Sequence, residues 1–405
     1  MGIEKNAMIE AEDRGWRIPE GYVCPDCVDD EYLKDIIRDN ACRRECDYCG
    51  RRTRKHSAAP IAEIMEPIGN TVFTWFDNPE EAGGFWDSED NNYYGIDAID
   101  TSEMLESIPL ECNEKLFEDI ADAFVNNQWV ETANGSIYGS HPHELMSYAW
   151  ERFAEIVKHE SRYFFQQTSS SIENEEDEED EDQFARQENY NPANFLPTLG
   201  KLAIKLRLLT TLPISETLFR ARPKKEGEFF DLNGKELGSA LKKASAGRMN
   251  PAGIGYMYLA FEQDTALTEI RQSNQLLQAA IGRFETQREI QVLDLTNPPE
   301  KPSIFDVQRH DELVGLFFID EFVKEIIKPV AKDGSEHIEY VPSQVVSEYF
   351  ALVFRLQNGK PLDGIKYPSA VRKGCHNLVL FPTERGYELT FDQVEFQEGW
   401  WDCPA

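Results

Sequence analysis

Residues 247–270 read GRMNPAGIGYMYLAFEQDTALTEI. Arg248 precedes an Asn-Pro-Ala-Gly-Ile-Gly segment, whose residue types permit a sharp reversal and close approach to a ligand. Tyr258 sits in the apolar, strand-like run Tyr256-Met-Tyr-Leu-Ala260, and Glu269 follows one helical segment later. A cation, an aromatic ring and a carboxylate are thus delivered from a turn, a strand and a helix. Such a trio can hold an anionic nucleotide, stack its base and act on its sugar.

The pattern continues on both sides. Leu218-Phe-Arg-Ala-Arg222 offers Arg220 and Arg222 on one strand face, because alternate strand residues project together. Glu289–Leu295, Gly364–Tyr367 and Asn377–Pro382 also read as strands. Helices are expected over residues 191–211 after an initial turn, 265–271, 310–327 and 340–352. Strands and helices without regular alternation define an α+β class. There is no internal repeat and no GxxxxGK[ST] phosphate loop.

At 405 residues the chain should form two or three domains. Its net charge of −33 disfavours nucleic acid and anionic membranes as partners. Nine of the ten residues from Glu173 to Asp182 are acidic, so residues 169–190 read as a flexible linker. This divides the chain into a cysteine-rich segment (1–55), a helical domain (56–168), the acidic linker (169–190) and a C-terminal domain (191–405). In the helical domain, Leu116, Phe117, Ile120 and Phe124 share one face, as do Leu145, Met146, Ala149, Phe153, Ile156 and Val157. No apolar run is long enough to span a membrane, and the N-terminus lacks a secretory core, so a cytoplasmic protein is expected.

Five of the eight cysteines crowd into residues 24–49. Cys24-Pro-Asp-Cys27 and Cys46-Asp-Tyr-Cys49 are two CxxC knuckles with 18 residues between them. That spacing suits a structural Zn²⁺ held by Cys24, Cys27, Cys46 and Cys49, with a short helix between the knuckles and Cys42 as a surplus thiol. Arg51, Arg52, Arg54 and Lys55 follow as a solvated basic loop. On the expected helix over 143–165, Arg152 and His159 lie two turns apart, a spacing open to a ribonuclease pair or an ordinary surface pair. His141 and His143 read as turn and cap residues.

Phe219-Arg220, Gly247-Arg-Met-Asn-Pro251 with Gly253, Tyr258-Leu-Ala, Glu269, Asp363-Gly-Ile-Lys-Tyr-Pro-Ser369 and Asn377-Leu-Val-Leu-Phe together resemble a RES domain. Met249 departs from that pattern where an aromatic residue is frequent, and Arg222 competes with Arg220 for the first arginine role. Cys24-Pro-Asp-Cys27, Asp30-Glu-Tyr-Leu-Lys34 and Cys46-Asp-Tyr-Cys49-Gly50 resemble the HEPN/RES N-terminal domain. The resemblance implies an ADP-ribosyltransferase-like fold and an NAD⁺-degrading toxin or defence effector that cleaves the nicotinamide–ribose bond. It implies Glu269, Tyr258, Arg248 and Ser369 as catalytic residues, and Arg220, Arg248, Tyr258, Ser369 and Asn377 as NAD⁺-binding ones. It also implies control by an antitoxin, a regulatory partner protein, a homo-oligomer or the N-terminal half. Competing readings are ADP-ribosyl transfer to a protein or nucleic acid, nucleic-acid sensing, and a HEPN-type ribonuclease.

Overall fold

The computed structural model of the chain describes residues 2–87, 92–133, 141–165, 192–224, 237–238, 244–270, 278–330, 334–383, 387 and 389–398. They fall into two units, Met1–Glu144 with Lys301–Val314, and Leu145–Glu300 with Gly315–Ala405.

In the first unit, helix α1 (Gly2–Arg14) and strand β1 (Tyr22–Val23) precede helix α2 (Glu31–Asp39), strand β2 (Ala59–Pro60) and helix α3 (Ala62–Trp75). Helix α2 starts where Asp30 accepts a hydrogen bond from Leu33 N at 3.0 Å, satisfying a helix-end donor. Antiparallel pairing of β1 with β2 closes the cysteine-rich loop at its base. Next come β3 (Phe76–Asp77), β4 (Phe85–Asp87), β5 (Asn92–Tyr94), β6 (Ile99–Asp100), α4 (Thr101–Ser107), α5 (Glu114–Ala123) and β7 (Gln128–Glu131). Asp100 and Glu103 form a capping box on α4. Leu116 and Ile120 of α5 are fully buried, and Leu33, Ile37, Ile64, Ile68, Trp129 and Phe305 share their core. The largely helical region expected before residue 133 is interrupted by the sheet β3-β7-β6 and the hairpin β4-β5. Periodicity misses such short strands because β3 and β6 find their partner β7 far along the chain.

In the second unit, α6 (Pro142–Glu155) runs into a π-helical turn, Ile156–Glu160. Then follow α7 (Phe195–Lys205), β8 (Leu209–Leu212), β9 (Thr217–Lys224), β10 (Met257–Ala260), α8 (Gln263–Ile270), β11 (Gln278–Thr286) and β12 (Ile290–Asp294). The remainder is α9 (His310–Ile327), α10 (Glu336–Glu339), α11 (Val341–Glu348), β13 (Gly364–Pro368), β14 (His376–Leu380) and β15 (Leu389–Glu398). Met146, Ala149, Trp150 and Phe153 of α6 pack with Phe195, Phe318 and Phe322, so this helix belongs to the second unit's core. The acidic tract 169–190 lies outside the described residues.

Eight strands form one sheet in the order β15-β11-β9-β10-β14-β13-β12-β8. The β12–β13 pair is parallel and the other pairs are antiparallel. Alternation sorts the two faces. Tyr258, Val379, Ile365 and Leu293 pack toward the helical core, while Met257, Leu259, Leu378 and Val292 build a second core behind the sheet. Strands β9 and β10 share one register pair, Phe219 with Ala260. The helix expected to run to Leu209 ends at Lys205. Arg207 takes a positive φ of 55°, and Leu209 enters β8. Strands β11 and β15 were not anticipated. Their pairing carries a register shift at Arg283/Phe284, which breaks the alternation that sequence patterning depends on.

Gly364 sits where a Cβ would run into the Val379 carbonyl of the neighbouring strand. Gly364→Ala should therefore lower unfolding stability by roughly 1–3 kcal/mol. Urea denaturation measures this, and an unchanged midpoint contradicts the close strand approach.

Candidate functional site

The Asn-Pro turn after Arg248 is held by its own buried asparagine. Asn250 Nδ2 donates to the carbonyls of Ser245, Pro251 and Ile254 at 2.9–3.1 Å. Its Oδ1 accepts from the Tyr258 hydroxyl at 2.8 Å, and that hydroxyl accepts from Met249 N at 2.9 Å. A Cβ on Gly247 would lie 2.6 Å from Asn250 Oδ1 and 2.8 Å from the Tyr258 hydroxyl, so the turn needs glycine there. Helix α11 braces the outside: Ser343 Oγ donates to Arg248 O and Gln344 Nε2 to Gly247 O. The Tyr258 hydroxyl is therefore engaged by the turn, and its ring is the part left to face a ligand. Burial raises its pKa, opposed by the Met249 N–H and by Arg248 and Arg220.

Arg248 lies over the Tyr340 ring at 5.5 Å and donates to Ile326 O at 2.5 Å. No carboxylate pairs with it among the described residues. Arg220 is similar: Nη1 reaches Met257 Sδ at 3.2 Å, and burial lowers its pKa. Two sheltered guanidiniums without acidic partners favour an anion. Strand register puts Arg220 on the same face as Leu218 and Met257. Arg222 follows on that face, opposite Ala280.

Glu269, near the end of α8, meets two residues delivered by the late strands. Its Oε1 accepts from Ser369 Oγ at 2.8 Å and from Asn377 Nδ2 at 2.6 Å. Its Oε2 accepts no hydrogen bond among the described residues. One carboxylate oxygen is thereby clamped and the other left for a ligand. The six predicted nucleotide-site residues thus form a carboxylate cluster (Glu269, Ser369, Asn377), a locked turn (Arg248, Tyr258), and Arg220 apart on β9.

Sequence reasoning passed over Tyr340, Ser343, Gln344 and Tyr367. Tyr340, Ser343 and Gln344 give no local signal, because they act on a turn distant in sequence. Tyr367 did: it stands two residues before Ser369 in a strand, and such residues share a face.

In the first unit the Sγ atoms of Cys24, Cys27, Cys46 and Cys49 all lie within 4.8 Å of one another. Cys24 is 3.8 Å from Cys27 and 3.5 Å from Cys49, and Cys27 is 3.6 Å from Cys46. A tetrahedral tetrathiolate metal site has sulfur–sulfur edges of about 3.8 Å, so the cluster could hold one metal ion. Without a cation, burial and the neighbouring thiols push Cys24 up to about 12 and Cys27 higher still. A bound cation offsets that cost by stabilising the thiolates. Cys42 is exposed and stands outside the cluster.

Arg152 and His159 are not brought together. Arg152 makes a two-pronged pair with Glu160, and exposed His159 lies 4.0 Å from Glu155. The π-helical turn after Glu155 changes the helical phase that their spacing assumed. His141 N donates to Glu144 Oε2 at the start of α6, a turn-and-cap contact, and its ring meets Glu131 and Trp75.

The fold is α+β, with an eight-stranded sheet in one unit and four clustered cysteines in the other. The family model for HEPN/RES N-terminal domain 1 matches residues 39–171, and that for the RES domain matches residues 217–397. The chain is a RES-domain protein with a HEPN/RES N-terminal domain. No curated protein matches it. It is similar to a chain in the crystal structure of the M. tuberculosis MbcT-MbcA toxin-antitoxin complex, at 18% identity over 49% of this chain and 92% of that one, with a TM-score of 0.31. Among the described residues, no helix is long and apolar enough to cross a membrane.

Tyr258→Phe removes the partner of Asn250 Oδ1 and Met249 N, leaving two sheltered polar groups unsatisfied. It should cost about 1–3 kcal/mol of stability, measured by chemical denaturation. An unchanged unfolding free energy would show that the hydroxyl does not hold the turn.

Proposed function

We propose that this protein degrades NAD⁺ by cleaving the nicotinamide–ribose bond, with water or phosphate as acceptor, and acts as a growth-arresting toxin or defence effector. The observation that carries this reading is the Glu269 carboxylate, with one oxygen clamped by Ser369 and Asn377 and the other open. The RES match supports it, since residues 217–397 contain Arg220, Arg248, Tyr258, Glu269, Ser369 and Asn377.

The roles follow from the chemistry. The nicotinamide of NAD⁺ leaves as a neutral group, and positive charge develops on the ribose carbon. Glu269 Oε2 stabilises that oxocarbenium-like centre and orients the ribose or the acceptor, as carboxylates do in glycoside cleavage. Ser369 and Asn377 are positioning residues, because their donors fix which carboxylate oxygen faces the sugar. Arg220 and Arg248 pair with the pyrophosphate, where a guanidinium fork matches phosphate oxygens. The Tyr258 ring stacks on the nicotinamide while its hydroxyl keeps Arg248 in place.

The four-cysteine cluster is proposed to hold one structural Zn²⁺. Four thiolates leave no open coordination position, so the ion would join the knuckles and take no part in catalysis. An enzyme that exhausts NAD⁺ needs control in its own cell. The first unit, an antitoxin, a second copy or another partner protein would provide it.

Glu269→Gln should abolish NAD⁺ consumption by the purified chain without lowering its melting temperature. Mass spectrometry of the products distinguishes free ADP-ribose from its phosphorylated form. Undiminished turnover would reject the assignment of Glu269. Elemental analysis should find about one zinc per chain, lost together with thermal stability in Cys24→Ser. A folded, metal-free native protein would reject the zinc site.

A further inference from the structure

Tyr367 stands on β13 directly opposite Asn377 of β14. Pairing continues past the end of β13, where Ser369 N donates to Cys375 O at 2.9 Å. Tyr367, Asn377 and Ser369 thus occupy neighbouring positions on one face. The latter two both hold Glu269 Oε1, at 2.6 and 2.8 Å. Tyr367 itself is 8% exposed and packs in the helical core.

Its hydroxyl hydrogen-bonds to no described residue, yet it is absent from the sealed, unpaired polar atoms of the described residues. The oxygen of this buried ring therefore reaches accessible space. A phenol held in the core with no described hydrogen-bond partner keeps its donor available to a ligand. Burial raises its pKa well above the usual range, with Tyr258 and Glu269 adding and Arg248 opposing, so the group remains a neutral donor. The groups around it are those assigned to the nucleotide.

We propose that Tyr367 is a further substrate-contacting residue, whose hydroxyl donates a hydrogen bond to a ribose hydroxyl of the dinucleotide beside Glu269 Oε2. The inference rests on the NAD⁺ reading above and deepens it. Glu269 Oε2 accepts from or charges toward the sugar, while Tyr367 donates. Together they give the sugar one donor and one acceptor, a pairing that a flat apolar wall lacks. Ser369 cannot supply this donor without releasing the carboxylate it holds, because its single hydroxyl hydrogen goes to Glu269 Oε1.

The test is Tyr367→Phe in the full chain, which removes the hydroxyl and keeps the ring in the core. Because the hydroxyl bonds to no described residue, the ligand-free melting temperature should not fall. In contrast, kcat/KM for NAD⁺ should fall roughly tenfold, the loss expected for one hydrogen bond to substrate. The stabilisation of the protein by added NAD⁺ should shrink in parallel. Equal kcat/KM in a wild type and variant that both consume NAD⁺ overturns the proposal and leaves the proposed activity standing. A drop in ligand-free melting temperature, with or without lost activity, identifies a structural hydroxyl and also overturns it. A wild type that neither binds nor consumes NAD⁺ removes the proposed activity, and this inference with it.

Discussion

The Tyr258 hydroxyl ties a turn to a strand, and the arrangement of the second unit's site depends on that tie. It accepts from Met249 N and donates to Asn250 Oδ1, while Asn250 spends both amide hydrogens on carbonyls of its own loop. Arg248 is thereby presented from a rigid reversal instead of a mobile loop. A cation needed at a fixed distance from a carboxylate benefits from this, because a preorganised donor loses little freedom when its ligand arrives. Helix α11 adds a second restraint by bonding the carbonyls of Gly247 and Arg248.

The sheet brings the carboxylate cluster together. Strands β9 and β10 share a single register pair, Phe219 with Ala260. Arg220 comes from β9, and Tyr258 from β10. Glu269 is brought in by the helix that directly follows β10, and Ser369 and Asn377 by strands much later in the chain. The clamp on Glu269 is thus a long-range interaction, formed only when the parallel and antiparallel pairings of β12, β13 and β14 are complete.

In the first unit, the cysteine cluster that could hold a metal ion is built into the hydrophobic packing. Cys24, Cys27 and Cys46 are buried among Val23, Leu33, Ile37 and Ala59, so the knuckles are part of the core. That burial disfavours free thiolates and favours the four sulfurs sharing one cation. The same packing leaves Cys42 exposed, which separates the surplus cysteine from the set.

Local sequence determined much of this protein. The two CxxC knuckles, the amphipathic faces of α5 and α6, the limits of α9 and the ordered run of Arg220, Arg248, Tyr258, Glu269, Ser369 and Asn377 could all be read from spacing and motif. These features depend on neighbours within a few residues or on the chemical type of individual side chains. Tertiary structure decided the rest. It ended α7 at Lys205, added β11 and β15 around a register shift, and separated Arg152 from His159 through a π-helical turn. It gave the Tyr258 hydroxyl to the turn, divided the two oxygens of Glu269, and left Tyr367 with a donor and no described partner. Each of these depends on which atoms meet across strands distant in sequence, and periodicity carries no record of such meetings.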